Sequence, residues 1–349
     1  MSATLLSDIS LVNEKIKSLV NLSSARLGGE VIAVSDDFFA DKSRLLLDKE
    51  PEFIPDLYDE NGKWMDGWES RRRRRRHGGH DHAIIKLSHP GILEYINIDT
   101  SHFTGNYPPK ASLQGCLSST PPNDNSEWVN IIATTDLKGD SHHWFSIDGI
   151  SKVNYLRLNI FPDGGVARLR CYGKVAFTPD AKMKDKKLEV SALEYGGRIV
   201  GYNDAHYGNV AAILSPGRGK DMGDGWETRR RRIPGNDWLV IALSHPAIIM
   251  GVEIDTAHYK GNYPDKTSLQ ASLLLNGGDD LRDKVALEES SKWPELLTPQ
   301  SLKADFVHSF DNEFVKIDAP VNYIRLNIFP DGGVSRLRLW GYFEDAENK

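Results

Sequence analysis

Apolar and polar residues alternate with a period of two over many short stretches of this 349-residue chain. Residues 96–99 read INID, and residues 252–255 read VEID. Because successive side chains of a β-strand point to opposite faces, this alternation predicts strands with one apolar and one polar face. Little of the chain shows sustained helical periodicity, so strands are expected to dominate the fold.

A longer alternating block occurs near the end of each half of the chain. Residues 154–173 read NYLRLNIFPDGGVARLRCYG and residues 322–341 read NYIRLNIFPDGGVSRLRLWG, so sixteen of the twenty positions are identical. In the first block, Gly164 and Gly165 supply residues that accept positive φ, and Asp163 offers an acceptor to the loop backbone. Two alternating runs around such a turn predict a β-hairpin.

Other blocks recur in the same order, which makes the chain a tandem duplication rather than a short-period solenoid. DGWESRRRR from Asp66 matches DGWETRRRR from Asp224, and IDTSHFTGNYP from Ile98 matches IDTAHYKGNYP from Ile254. We predict a lead segment, a first repeat, a polar lysine-rich linker and a second repeat, at residues 1–20, 21–177, 178–189 and 190–345 respectively.

Two stretches have a less regular pattern. Residues 1–20 have no counterpart in the repeat, and Leu11, Ile16 and Val20 fall loosely on one side of a short amphipathic helix. The two copies diverge most between residues 114–154 and 270–322, where we expect the variable loops.

The predicted fold class is all-β, with two tandem repeats. Short strands separated by Gly, Pro and Asn turns indicate an antiparallel β-sandwich in each repeat. A jelly-roll, galactose-binding-like topology is favoured.

Composition and charge narrow the classes of function. The chain is 40% hydrophobic and 26% charged, and it has no apolar run of about 20 residues, so a globular chain with no membrane partner is expected. Its start lacks the pattern of a secretory signal, which predicts a cytoplasmic location. Cys116 and Cys171 both lie in the first half, which favours reduced thiols over a disulfide framework or cysteine metal site. A net charge of −6 disfavours a nucleic-acid partner.

Arginine runs follow both DGWE motifs, at residues 71–76 and 229–232. A nucleic-acid patch is disfavoured because strand geometry would divide the side chains between two faces and no aromatic residues interleave them. A small carboxylate ligand fits better, since guanidinium binds carboxylate through two parallel hydrogen bonds. A solvated face paired with Asp and Glu remains the alternative.

Acidic residues accompany both arginine runs. Trp68 and Trp226 are expected in the core, because a buried Trp contributes a large apolar area. The adjacent Glu69 and Glu227 are candidates for a general acid or base, and surface ion pairs with arginine are the alternative.

A further polar motif follows the strand that ends in Asp99, with its copy at Asp255. His102 and His258 come three residues later, close enough for a carboxylate–imidazole pair that transfers a proton or orients water. A structural histidine remains equally open.

Loop residues beyond this motif are candidate ligands. Asn106 and Asn262 belong to tight loops, where an amide either binds a polar ligand or stabilises the turn. No two histidines have ligand spacing in both copies, so we predict no metal site; Asp, His and carbonyl ligation is the less favoured alternative.

The three duplicated blocks resemble those of the allantoicase family, over about residues 21–345. The resemblance implies a repeated jelly-roll hydrolase of purine catabolism, which converts allantoate and water to ureidoglycolate and urea and assembles as a homo-oligomer. It names no cofactor. The second copy has the expected turn, IPGNDW from Ile233, but the first reads RRHGGHDH, with two extra residues and His82 in place of Trp238. The geometry of the first loop is therefore expected to differ.

The resemblance gives these residues roles toward allantoate. Arginines bind its carboxylate and asparagines hydrogen-bond its ureido groups. An acid protonates the ureido nitrogen that leaves as part of urea. The catalytic candidates are Glu69, Asp99, His102, Glu227, Asp255 and His258. The substrate-binding candidates are Arg71, Asn106, Arg168, Arg229, Asn262 and Arg336. Composite pockets formed on oligomerisation are favoured over two independent sites and over duplicated groups that are inherited but idle. A non-catalytic tandem binding module is the principal alternative function.

Overall fold

A computed structural model of the chain describes residues 2–7, 9–16, 19–73, 79–123, 125–149, 152–180, 182–183 and 185–344. The chain divides into two compact units. The first comprises Met1–Ile16 and Val20–Ala176, and the second comprises Lys17–Leu19 and Phe177–Lys349. Strands predominate in both units, which confirms the predicted all-β class.

The first unit contains thirteen strands among its described residues. They are β1 (Ser2–Leu5), β2 (Val20–Asn21), β3 (Glu30–Val34), β4 (Tyr58–Asp59), β5 (Gly62–Lys63), β6 (Trp68–Glu69), β7 (Asp81–Asp99), β8 (Lys110–Cys116), β9 (Val129–Asp136), β10 (His142–Asp148), β11 (Val153–Phe161), β12 (Gly165–Val166) and β13 (Arg168–Val175). Its helices are α1 (Ser10–Ile16) and the 3₁₀ turns Ala25–Leu27 and Lys42–Leu46.

The second unit repeats this plan. Its strands are β14 (Leu188–Glu189), β15 (Arg198–Tyr202), β16 (Trp226–Glu227), β17 (Asp237–Asp255), β18 (Lys266–Ser272), β19 (Glu295–Ser301), β20 (Val307–Phe310), β21 (Val321–Phe329), β22 (Gly333–Val334) and β23 (Arg336–Phe343). Its helices are α2 (Asp279–Glu289) and the 3₁₀ turns Leu193–Tyr195, Val210–Leu214 and Ser290–Lys292.

One long strand runs through both layers of each sandwich. In the first unit, β7 pairs along residues 81–86 with β3 and β11, and along residues 91–99 with β10 and β13. Strands β8 and β9 extend the first layer beside β11, whereas β1 and β2 flank the second. In the second unit, β17 pairs in the same way with β15 and β21, then with β20 and β23. All these pairings are antiparallel, which confirms a jelly-roll sandwich in each unit.

The hairpin predicted around PDGG does not form. Strand β11 pairs with β7 and β8 in one layer, whereas β13 pairs with β7 and β2 in the other. PDGG is therefore a corner between layers. A period of two shows which face of a strand is apolar, but it does not show which strand lies beside it. The sequence pattern was therefore equally consistent with a hairpin, in which β11 and β13 pair, and with a corner, in which they lie in different layers.

The corner requires glycine because it approaches another loop closely. Gly164 has φ of 142°, and a Cβ there would lie 2.6 Å from the backbone nitrogen of Pro108. Gly332 has φ of 137°, and a Cβ there would lie 2.7 Å from the backbone oxygen of Asn262. In each unit the PDGG corner thus packs against the loop that carries the candidate asparagine.

The tryptophans of the DGWE motifs lie in the core, as predicted. Trp68 and Trp226 have no exposed surface, and their Nε1 atoms donate to the backbone oxygens of Asp36 and Asp204, each at 2.8 Å. The polar face of β7 is less exposed than its alternation suggested, because Asp99 is fully buried. Alternation identifies polar positions, but loops packed over them decide whether they reach solvent.

Several segments expected to be irregular contain regular structure. The described part of residues 1–20 includes helix α1, as predicted, and also β1, which pairs with β10; the side chain of Leu11 lies outside the described residues. The divergent stretches contain paired strands, and only the second has the added helix α2 among described residues. Strand β14 pairs with β23 and begins at Leu188, within the stretch interpreted as linker.

The helices and the cysteines each have one further feature. No helix within the described ranges has the length and apolar character needed to span a membrane. Cys116 and Cys171 are free and buried.

Candidate active site

Four loops of the second unit line a cleft of about 820 Å³. We call it the second cleft. Its walls come from residues 206–207, 227–231, 261–263 and 330–332, together with Asp265. It therefore combines the DGWE motif, the arginine run, the GNYP loop and the PDGG corner, which are far apart in sequence.

A short strand places Glu227 in this cleft. Strand β16 pairs with β22, with Trp226 opposite Val334 and Glu227 opposite Gly333. Because Trp226 points into the core, the next side chain points the other way, toward the cleft. Asn262 Nδ2 donates to Glu227 Oε1 at 2.5 Å. Glu227 Oε2 makes no hydrogen bond with the described residues, so it can still contact a ligand.

Two arginines of the second cleft are held by acidic residues and a histidine. The Arg229 backbone N–H donates to Asp204 at 2.6 Å, and its Nε donates to His206 Nδ1 at 3.0 Å. Arg231 donates from its backbone to Asp331 at 2.8 Å and from Nη1 to Asp237 at 2.7 Å. These contacts fix the arginine run as a loop, not as the strand considered from the sequence.

Arg230 lies between these two residues and differs from both. It lines the cleft and is exposed, and its guanidinium has no ion pair or hydrogen bond within the described part of the chain. The cleft therefore holds a guanidinium that makes no ion pair with the described residues, although Glu227, Asp265 and Asp331 line the same cleft. Such a group is suitable for binding an anionic ligand.

The first unit repeats much of this arrangement. Asn106 Nδ2 donates to Glu69 Oε1 at 2.9 Å. Arg71 donates from its backbone and from Nε to Asp36, at 2.8 and 2.7 Å. Arg73 binds Asp81 through Nε and Nη2, at 2.9 and 2.7 Å. Arg74, Arg75 and Arg76, the rest of this predicted run, lie outside the described residues.

Arg72, the counterpart of Arg230, has partners that Arg230 lacks. Its Nη1 binds Asp163 Oδ1 at 2.8 Å, and its Nη2 donates to the backbone oxygen of Gly105 at 3.2 Å. The guanidinium of Arg72 is thus satisfied within its own unit. The two repeats share a carboxylate–asparagine pair but differ in the state of this arginine.

Burial changes the acidity of Glu69 in the first unit and of Tyr259 in the second. Glu69 is 7% exposed, and burial raises the pKa of its carboxyl, against the opposing effects of the Asn106 hydrogen bond and the Arg72 charge. In the second unit, burial and then the charge of Glu227 raise the pKa of Tyr259. The Tyr259 hydroxyl donates to the backbone oxygen of Met222 at 2.8 Å, so it is a structural donor.

The predicted Asp–His pairs do not form. Asp99 Oδ1 accepts from the backbone and Oγ of Ser101, at 2.8 and 2.6 Å. His102 Nε2 instead lies 3.1 Å from the backbone oxygen of Pro51. The turn places His102 at φ of 69°, which separates its ring from the carboxylate three residues earlier.

The second copy behaves in the same way. Asp255 Oδ1 accepts from the backbone of Ala257 at 2.7 Å, while His258 Nε2 lies 2.7 Å from the backbone oxygen of Gly219. In both units the aspartate stabilises the turn and the histidine contacts another loop.

Arg168 and Arg336, two other sequence candidates, are fully buried. Arg336 Nη2 donates to Asp224 Oδ2 at 3.0 Å, and its Nη1 donates to the backbone oxygen of Asp224 at 2.7 Å. Arg168 contacts Asp66 in the same way, with Nη2 at 2.8 Å from Oδ2. Alternation placed these arginines on a polar face, but the loops that carry the aspartates cover that face, so both arginines hold loops in place.

The structure thus brings together Glu227, Asn262 and Arg229 of the predicted set. Sequence reasoning missed Arg230, His206, Tyr207, Tyr263 and Asp331. Alignment of the two repeats could have identified His206, because its counterpart in the first repeat is the apolar Phe38 while the neighbouring residues are similar. The described residues contain no group of three or more His, Cys, Asp or Glu side chains placed to hold a metal ion.

Comparisons with known proteins agree with the duplicated fold. A family model described as "Allantoicase repeat" matches the chain twice, at residues 20–176 and 188–344. "Probable allantoicase 1" of Burkholderia mallei is 46% identical over 329 residues, which cover 94% of this chain and 96% of that protein. "Probable allantoicase" of Photobacterium profundum is 48% identical over 324 residues, which cover 93% and 96%. The crystal structure of allantoicase from Saccharomyces cerevisiae has a TM-score of 0.76 and 29% identity, covering 98% of this chain and 100% of that one.

Proposed function

The chain belongs to the allantoicase family, and from that premise we propose that it converts allantoate and water to ureidoglycolate and urea in the second cleft. It is a hydrolase that acts on a small-molecule substrate. The observation that carries the choice of cleft is that the Glu227–Asn262 pair and Arg230, which makes no ion pair with the described residues, line the same cleft. Arg72 of the first repeat is already bound by Asp163.

The chemistry of allantoate matches these groups. Its central carbon carries a carboxylate and two ureido groups. Arg230 binds the carboxylate through two parallel hydrogen bonds, because guanidinium geometry matches it. Arg229, for which this role was predicted from sequence, is held by Asp204 and His206 and supports the wall of the cleft. Asn262 and Glu227 hydrogen-bond the ureido groups and fix the reacting carbon.

Glu227 acts as the acid and then as the base. Its carboxyl gives a proton to the departing ureido nitrogen while the bond from that nitrogen to the central carbon breaks. The lone pair of the other ureido nitrogen forms a C=N bond and replaces the lost electron pair. Water then adds to the central carbon, and its proton returns to Glu227, so urea and ureidoglycolate leave with the enzyme unchanged.

Urea release from allantoate by the purified full-length chain tests the activity and the site. Wild type is expected to release urea. Glu227→Gln is expected to lower kcat by about 10²–10⁴-fold with little change in KM, because an acid–base group acts on the chemical step. Arg230→Gln is expected to raise KM, because it removes the carboxylate contact.

Glu69→Gln and Arg72→Gln are the matched controls in the first repeat and are expected to retain near wild-type turnover. Absence of urea release by wild type would disprove the activity. Unchanged turnover of Glu227→Gln would remove Glu227 from the scheme while leaving the activity intact.

The alternative functions considered from the sequence are less well supported. A non-catalytic binding module is not favoured for a member of this family, and the arginines at 71, 73, 229 and 231 are engaged by groups of their own unit. The homo-oligomer, the cytoplasmic location and the composite pocket between subunits stay predictions.

A further inference from the structure

The two repeats differ at one position in the wall of the cleft. In the second repeat His206 lines the cleft and accepts from Arg229 Nε at 3.0 Å. In the first repeat the corresponding residue is Phe38, and the guanidinium carbon of Arg71 lies 5.0 Å from the centre of its ring. Arg71 then directs its Nε to Asp36 instead. The duplicated scaffold therefore presents a polar ring in one unit and an apolar ring in the other.

The contact with Arg229 determines which nitrogen of His206 carries the proton. Arginine Nε is always a donor and stays protonated in proteins, so His206 Nδ1 must accept. The single proton of the neutral imidazole is therefore on Nε2. Nε2 has no hydrogen-bond partner among the described residues, and the ring lies at the surface of the cleft. His206 Nε2 is thus the ring nitrogen that can donate to a ligand, and the contact with Arg229 orients the ring.

Resting on the proposed function, we propose that His206 Nε2–H donates a hydrogen bond to the carbonyl oxygen of the departing ureido group. As the C–N bond breaks, its electron pair moves to the departing nitrogen and is delocalised onto that oxygen. A fixed donor at the oxygen stabilises the developing negative charge more than the ground state. The proton that completes urea comes from Glu227, so His206 gives up no proton.

The same comparison of the two repeats indicates that only the second cleft of each chain hydrolyses allantoate. Phe38 offers no donor in the first repeat, and Arg72 is bound by Asp163 and Gly105 rather than available to a carboxylate. Among the described residues of the first repeat, the Glu69–Asn106 pair is not accompanied by an unpaired guanidinium or by a counterpart of the His206 donor. That described part keeps the architecture of the site without the groups proposed to bind and activate allantoate.

Two substitutions of His206 separate a hydrogen-bonding role from a packing role. His206→Phe keeps an aromatic ring and copies the first repeat, whereas His206→Asn loses the ring but keeps an N–H donor. We expect His206→Phe to lower kcat by about 10²–10³-fold, as loss of one fixed donor does elsewhere. His206→Asn should retain more turnover than His206→Phe. A packing role would give the opposite order, because phenylalanine preserves volume better.

Thermal unfolding of both variants, and Phe38→His as the matched change in the first repeat, complete the test. Phe38→His is expected to leave kcat unchanged. Wild-type turnover in His206→Phe, or lower turnover in His206→Asn than in His206→Phe at equal stability, would overturn the role of His206. Equal losses in Glu69→Gln and Glu227→Gln would overturn the single active cleft. If wild type itself releases no urea from allantoate, the proposed function fails instead.

Discussion

At the scale of single residues, the two glutamates show how burial differentiates duplicated groups. Glu69 is buried, whereas Glu227 is partly exposed at the wall of the second cleft, although both accept a hydrogen bond from an asparagine. A carboxyl removed from water holds its proton more strongly. The same residue type is therefore buried in one repeat and open to solvent in the other, and this difference accompanies the proposed choice of Glu227 as the acid.

The raised pKa of Glu69 predicts a pH-dependent stability. At a pH below the pKa that Glu69 has in the unfolded chain, the carboxyl is protonated in both states and its burial does not lower the free energy of unfolding. As pH rises from that pKa through the higher pKa of the folded state, the unfolded state ionises more readily, so the free energy of unfolding falls. Glu69→Gln removes this loss and keeps the acceptor for Asn106. The stability of the variant relative to wild type should therefore increase as pH rises above the ordinary pKa of a glutamate, measured by urea unfolding at a series of pH values. A difference that does not change with pH would contradict this expectation.

The buried arginine of the second unit predicts a different effect. Arg336→Met leaves the Asp224 carboxylate buried without its cation, which should lower the free energy of unfolding by about 3–5 kcal/mol. Arg230→Met, an exposed control, should change it by less than about 0.5 kcal/mol. Denaturant unfolding measures both. An Arg336→Met protein of normal stability but raised KM would restore the substrate-binding role predicted from sequence.

At the scale of elements, the PDGG corners position the asparagine loops. Gly332 lies so close to the Asn262 backbone that a Cβ would displace one of the two loops. Asn262 donates to Glu227, so the corner, which also lines the second cleft, helps to set the position of the Glu227 carboxyl. Gly332 therefore acts on the Glu227–Asn262 pair through the close approach of two backbones.

Gly332→Ala tests this dependence. Strain at φ of 137° and the displaced loop should destabilise the second unit by about 1–3 kcal/mol and lower kcat. Gly164→Ala places the same change in the first unit, where it should cost similar stability but leave kcat near wild type. Melting temperatures and urea release measure the two effects. Equal losses of kcat in both variants would show that the first corner also supports turnover.

At the scale of the whole molecule, the duplication allowed the fold class and the motifs to be predicted from sequence. The strand-rich fold, the two repeats and the burial of Trp68 and Trp226 were predicted, because they depend on local periodicity and apolar area. The sheet partners of β11 and β13 were not, because periodicity carries no information about neighbours. Arg230 was missed for a related reason: three adjacent arginines look alike until the aspartates that bind two of them are located in space.

Each unit also has a single 19-residue strand that belongs to both of its layers. In the second unit, residues 237–242 of β17 pair in one layer and residues 247–255 pair in the other, so a single backbone segment connects the two layers. We expect this connection to couple the layers, so that the unit unfolds in one cooperative step. A destabilising substitution in the layer remote from Glu227 should then lower the fraction of molecules in which the second cleft is folded.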